Sequence, residues 1–280
     1  MRTSMPITEL RLCAPISLVM VGAALSTGCV NYTARLEGNA HAAGRTTEIY
    51  TGGIYPVQAV LPKSVKGEVL RVYVEGDGHA WATARQPSTD PTPHENLVAN
   101  LAANDPGGAV YLARPCQFVS NEHCNPKTWT DQRFSPQVIA SMSSALDAVK
   151  LRYTVTRMEL VGYSGGGAVA LLLAAKRDDV VSVQTLAGNI AVTAWTQLQG
   201  LTQLSGSLDP VSYVDKLRTI PQRHLVGDQD SVVPRAVSSA YLSKLGSTQC
   251  VEIATVHANH HDGWRAAWAD YSRRPTSCVK

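Results

Sequence analysis

Charge is sparse in this chain of 280 residues: Asp, Glu, Lys and Arg make up 17% of it, and the formal net charge is only +3. No Lys/Arg cluster is interleaved with aromatics, so the electrostatic footprint of a nucleic-acid groove is missing. No cysteine pair stands at Cys-x-x-Cys spacing and no histidine joins one at ligand spacing, which leaves no zinc-type motif. No internal period points to a solenoid or propeller. The apolar run at residues 14–25 is too short for a good membrane span. These absences leave a chain long enough for one substantial core, with a small or neutral molecule as its expected partner and no cofactor or metal called for.

The first 28 residues read as a targeting segment. Arg2 and Arg11 supply positive charge, residues 14–25 are apolar and small, and Ser26-Thr27-Gly28-Cys29 closes the run, which resembles a bacterial secretory signal. Small residues directly before Cys29 resemble a lipoprotein box, in which the cysteine is lipidated and becomes the mature N-terminus and anchors the chain to a membrane of the cell envelope. Ser26 stands where that box usually has leucine, and plain export with cleavage nearby is the other reading. Export places the chain in an oxidising compartment. With the leader gone and Cys29 assigned to lipid, Cys116, Cys124, Cys250 and Cys278 remain, an even set. Cys116 and Cys124 flank a short polar loop, while Cys250 opens a late strand and Cys278 lies near the terminus. Pairing of near neighbours, Cys116 with Cys124 and Cys250 with Cys278, is therefore expected. Residues 29–45, small and polar without apolar periodicity, read as a tether to a domain at 46–280.

Within that domain strands and helices alternate. Residues 46–61 suggest one or two strands broken at Gly52-Gly53 and Pro56; residues 69–74, 109–112, 158–162, 180–187, 221–226 and 251–256 read as further strands. Helices are expected at 94–104, from Ser135-Pro136 to about 150, after Gly165, at 237–245, and at the terminus, where Trp264 and Trp268 share a face. Residues 188–220 lack a strong period and read as an excursion over the site. This order implies a mainly parallel sheet with helices on both faces, and an active edge at the carboxyl ends of the strands.

Four polar stations lie at those ends. The run from Met158 to Leu173 is an apolar strand, a tight turn and an Ala/Leu-rich helix, with Gly162-Tyr163-Ser164-Gly165-Gly166 at the junction. Gly-x-Ser-x-Gly in that context is a nucleophile elbow, whose serine is exposed on a strained turn. The Gly165 N–H opens the helix and can face an oxyanion. An acyl-transfer site needs a second donor from the loop after an earlier strand, and in Glu75-Gly76-Asp77-Gly78 either Asp77 or Gly78 can supply it. His79 and Trp81 follow, near the expected mouth. After the strand at 221–226, Asp230 is preferred to Asp228 as the acid because Val233-Pro234 follows it. After the last strand, His260 competes with its neighbour His261 as the base.

On these residues the chain resembles the α/β-hydrolase superfamily over roughly residues 48–280, with the order nucleophile, acid, base. Glu75-Gly76-Asp77-Gly78, Tyr111-Leu112-Ala113-Arg114-Pro115-Cys116 and His260-x-x-Gly263-Trp264 look like a group of exported bacterial members. The resemblance implies the α/β-hydrolase fold, with Ser164 as nucleophile, His260 as base, Asp230 orienting the imidazole, and N–H groups of Gly165 and of Asp77 or Gly78 around the oxyanion. It implies cleavage of a carboxylic ester through an acyl-enzyme. Amide or thioester cleavage, or a surface-anchored binding protein without turnover, are the other classes.

Overall fold

The computed structural model describes residues 31–278, so the leader and Cys29 lie outside the described residues. Eight strands form one sheet: β1 (Thr46–Tyr50), β2 (Val57–Leu61), β3 (Val69–Val74), β4 (Val110–Leu112), β5 (Arg157–Tyr163), β6 (Val180–Leu186), β7 (Gln222–Gly227) and β8 (Val251–Val256). Their order is β1-β2-β4-β3-β5-β6-β7-β8. β2 runs antiparallel to both its neighbours, and every other pair is parallel. The helices are α1 (Tyr32–Ala42), α2 (Leu97–Ala103), α3 (Pro126–Trp129), α4 (Pro136–Tyr153), α5 (Gly165–Lys176), α6 (Val192–Leu198), α7 (Val214–Leu217), α8 (Arg235–Leu245) and α9 (Trp264–Tyr271). None of them is long and apolar enough to cross a membrane.

Strand side chains alternate between faces, and the alternation divides the interior in two. Val72, Val74 and Leu160 face a core filled by Met142 and Leu146 of α4, Leu172 of α5 and Tyr241 of α8. Tyr73, Tyr111 and Val161 face a second core with Leu36 of α1, Ala102 of α2, and Trp264 and Trp268 of α9. The near-continuous apolar run of α5 is explained by its depth: every residue from Gly165 to Ala174 is buried.

The tether reading of residues 31–45 is overturned. Asn31 caps α1, its side chain accepting from the Ala34 N–H at 2.9 Å, and Leu36 and Ala40, one turn apart, are buried against the sheet. Two apolar positions are enough to dock a helix whose other faces meet water, yet too few to show a period in sequence. Arg45, buried, then donates to the carbonyls of Ala109 (2.6 Å) and Ala102 (2.7 Å), so the folded unit begins by residue 31. α2 starts at Leu97, later than the expected residue 94, because the His94 ring is stacked between Tyr32 and His79 and lies outside the helix.

Disulfides join Cys116 to Cys124 and Cys250 to Cys278, the pairs expected from sequence. The stretch 188–220 contains α6 and α7. The Asp209 carboxylate accepts from the N–H groups of Val192 and Thr193 at the start of α6 (3.2 and 2.8 Å), and Trp195 Nε1 donates to the Val232 carbonyl at 2.7 Å, which ties this stretch to the turn after β7.

Candidate active site

β5 ends at Tyr163 and α5 begins at Gly165, so Ser164 alone makes the turn, with φ 51° and ψ −121°. A non-glycine residue in that region costs roughly 1–3 kcal/mol, which the surroundings must offset. They do so through three backbone bonds: Ser164 N–H donates to Leu186 O (3.0 Å), and Ser164 O accepts from Gly167 N–H and Asn189 N–H (2.9 Å each). Strand and helix pass so closely here that a Cβ on Gly162 would strike Gly166 O, and one on Gly166 would strike Val74 O.

Ser164 Oγ lies 3.1 Å from His260 Nε2, and His260 Nδ1 lies 2.9 Å from Asp230 Oδ2. The other Asp230 oxygen accepts from the N–H groups of Val232 (2.9 Å) and Val233 (2.8 Å), and its side chain has no solvent exposure. With the Nδ1 proton donated to Asp230, the bare Nε2 is left to accept from the serine hydroxyl. His260 is held from behind as well. Its backbone carbonyl accepts from the Tyr163 hydroxyl and from Trp264 Nε1 at 3.0 Å, so the residue preceding the serine and the residue four beyond the histidine grip the same atom. His261 is exposed, and its ring stands nearly perpendicular to that of His260. Asp228 pairs instead with His257.

The loop after β3 reaches the same place. A Cβ on Gly165 would collide with Asp77 Oδ1, so the Asp77 carboxylate lies directly against the first residue of α5. No protein acceptor engages the N–H of Asp77, Gly78 or Gly165 among the described residues. The Asp77 carboxylate is itself bound by two guanidiniums, Arg133 Nη1 at 2.6 Å and Arg114 Nη1 at 3.1 Å. His79, expected near the mouth, stacks on His94, and Trp81 is exposed.

The sequence matches no family model and no curated protein. Solved structures do match. An esterase from Pyrococcus furiosus superposes with a TM-score of 0.61 at 11% identity, over 84% of this chain and 91% of that one. An acylaminoacyl peptidase from Pyrococcus horikoshii gives 0.59 at 14% identity, over 84% of this chain and 42% of that one. A serine hydrolase homologue from Coxiella burnetii gives 0.51 at 17% identity, over 80% and 92%. The fold is that of the α/β hydrolases.

In this α/β-hydrolase fold the charges on the loop after β3 have an electrostatic consequence. A lone carboxylate beside the Gly165 N–H would oppose any negative charge gathering there. Burial by itself pushes Asp77 up, but Arg133 and Arg114 outweigh burial and hold it below the usual carboxylate range. The cluster of one carboxylate and two guanidiniums then sums to a single positive charge. Glu75, fully buried under the same loop, has no such pairing. Burial pushes it up to about 7, against the Gly76 N–H and Tyr111 hydroxyl, each at 2.9 Å, and the more distant Arg114. The roles of Arg133 and Tyr163 were not visible in sequence. Arg114 stands within a motif shared with the resembled group, but Arg133 is 56 residues from Asp77 and carries no local signal.

Proposed function

We propose that the protein is a serine hydrolase that cleaves a carboxylic ester through an acyl-enzyme on Ser164. The observation carrying this is the unbroken line Ser164 Oγ, His260, Asp230, with both links within hydrogen-bond reach on a strained elbow. His260 removes the hydroxyl proton as Oγ attacks the ester carbonyl, and Asp230 stabilises the imidazolium that forms. The tetrahedral oxyanion meets the Gly165 N–H and an N–H of Asp77 or Gly78, each such donor worth on the order of 3 kcal/mol of barrier. Collapse of the intermediate expels the alcohol, which takes the proton from His260 and leaves the acyl ester on Ser164. Water activated by His260 then releases the acid and restores the hydroxyl.

A fluorophosphonate probe tests the nucleophile. The parent should label and Ser164→Ala should not; equal labelling of both would remove Ser164 from the mechanism. Because the same constellation serves all acyl transfer, p-nitrophenyl esters of graded acyl length assayed beside matching p-nitroanilides decide between ester and amide. Two disulfides suit an oxidising, extracytoplasmic compartment, and Cys29 is read as the lipid-bearing mature N-terminus.

A further inference from the structure

The amino end of α1 sits at the catalytic edge. The Tyr32 ring stacks on His94, with centroids 4.3 Å apart, and His94 stacks on His79 at 4.2 Å, two residues beyond Asp77. Thr33 Oγ1 donates to Phe118 O at 3.2 Å and the Arg35 guanidinium to His94 O, which fixes the first turn to the same loops. The helix then descends the sheet: eleven residues measure about 16 Å. It delivers Arg45 to the Ala109 carbonyl at the entry of β4, on the opposite edge. From Asn31 back to Cys29 is two residues, about 7 Å of fully extended chain. A lipid on Cys29 would therefore be tethered to the folded unit at the end of α1 that lies on the edge where Ser164 opens, with no more than that length of chain between them.

Apolar exposure is concentrated on that edge. Among the described residues seven large apolar side chains stand exposed. Five of them ride on connections leaving the carboxyl ends of strands: Ile54 after β1, Trp81 after β3, Leu198 and Leu201 after β6, and Val232 after β7. The Gln199 amide donates to the carbonyls of Ser231 and Val232, so the excursion and the acid turn present their apolar residues together. Scattered exposed apolar groups are ordinary, but their collection on one side marks a contact surface.

We propose that the catalytic edge lies against the bilayer that anchors the chain, and that the substrate is an acyl ester embedded in that bilayer, reaching Ser164 without crossing bulk water. The inference rests on the esterase and lipid-anchor readings above. Apolar side chains at loop tips would sit at the acyl boundary while the polar rim of the site stays at headgroup level, as interfacial segments do.

The test uses the full lipidated chain in vesicles of phosphatidylcholine and phosphatidylglycerol. Turnover of vesicle-borne p-nitrophenyl palmitate is compared with that of soluble p-nitrophenyl acetate. A flexible Gly/Ser linker of about twelve residues between Val30 and Asn31 spans roughly 20 Å and frees the edge from the surface. It should lower palmitate turnover about tenfold by lowering effective concentration, and leave acetate turnover unchanged. Independently, dibromo-phosphatidylcholine should quench tryptophan emission in the parent, and Trp81→Phe should abolish most of that quenching. Unchanged palmitate turnover with the linker, or quenching indifferent to Trp81→Phe, overturns the proposal. So does sedimentation as an edge-to-edge dimer that Trp81→Asp dissociates, since a second copy would then cover the surface. Failure of the underlying readings shows separately, as absence of palmitate labelling at Cys29 or absence of acetate hydrolysis, and either takes this inference with it.

Discussion

Two Asp–His pairs lie side by side at the ends of β7 and β8. Asp228 Oδ2 and His257 Nδ1 are 3.0 Å apart; Asp230 Oδ2 and His260 Nδ1 are 2.9 Å apart. The bond is the same, and the surroundings are not. His257 is 81% exposed and Asp228 43%, whereas His260 is 10% exposed and Asp230 fully covered. In the inner pair the far nitrogen of the imidazole meets Ser164, the second carboxylate oxygen takes two backbone N–H groups, and the histidine carbonyl is gripped by Tyr163 and Trp264. Among the described residues the side chains of the outer pair find, besides each other, the Ala258 N–H. A pair distance therefore says little about function: convergence on a third group and exclusion of water separate a candidate catalytic dyad from a surface ion pair.

The largest expected effect breaks the comparison at the histidines. His260→Ala should lower kcat on any accepted ester by roughly 10⁴-fold, as loss of a triad member does, while His257→Ala and His261→Ala stay within about threefold of the parent. Kinetics on folded proteins, measured side by side, decide it. A comparable loss for His257→Ala would mean that the outer pair acts in the reaction and that burial is no guide here.

How much of this was legible in sequence follows from how local each signal is. The elbow was legible because Gly162, Ser164 and Gly166 stand at alternate positions of one short stretch and are set by one strand-to-helix crossing. Asp230 and His260 were placed by strand ends together with Val233-Pro234 and Trp264. The spacing from His260 to Trp264 proves to be a direct hydrogen bond to the histidine carbonyl. The alternating sheet and the disulfide pairs were legible for the same reason. Helix α1 was not: its buried positions are Leu36 and Ala40, too few to show a period, and the contacts of its first turn, Tyr32 on His94 and Thr33 to the Phe118 carbonyl, reach residues far along the chain. The guanidiniums on Asp77 come from residues 37 and 56 positions away, brought in by tertiary packing that no local pattern encodes.

Glu75 extends the comparison to a buried carboxylate that, among the described residues, has neither imidazole nor guanidinium bound to it. Its proton is held more tightly in the folded chain, at about 7 against 4.5 for the free group. The folded state then binds more protons than the unfolded one between those values, so this residue removes stability as pH rises from about 4.5 to 7, on the order of 3 kcal/mol in all. Fully buried His224 opposes it, since burial holds its imidazole down to about 3 and stability from that source grows as pH rises toward 6.5. Glu75→Gln should therefore turn a nearly flat stability profile into one that rises with pH across this interval, measured by denaturant unfolding at stepped pH. An unchanged profile would mean that Glu75 does not carry its proton to neutral pH.

The smallest expected effect is at Asp228, and it tests the outer pair on its own ground. The hydrogen bond from His257, the largest influence, holds the Asp228 carboxyl below its ordinary value, helped by the Ala258 N–H. A carboxyl with a lowered folded value contributes stability that is present above its unfolded value of 3.8 and lost as pH falls through the folded one. Asp228→Asn should accordingly melt slightly below the parent near neutral pH, and the two melting curves should converge in acid once pH has fallen through the folded value of the carboxyl, where both side chains are uncharged. Because the pair is exposed, added salt should shrink the neutral-pH difference. Turnover should stay within about twofold of the parent, since the carboxylate meeting His260 is untouched. A melting difference that persists in acid and in salt would show that Asp228 shapes the turn through its hydrogen bond to the Ala258 N–H rather than through charge. A large loss of kcat would erase the distinction between the two pairs.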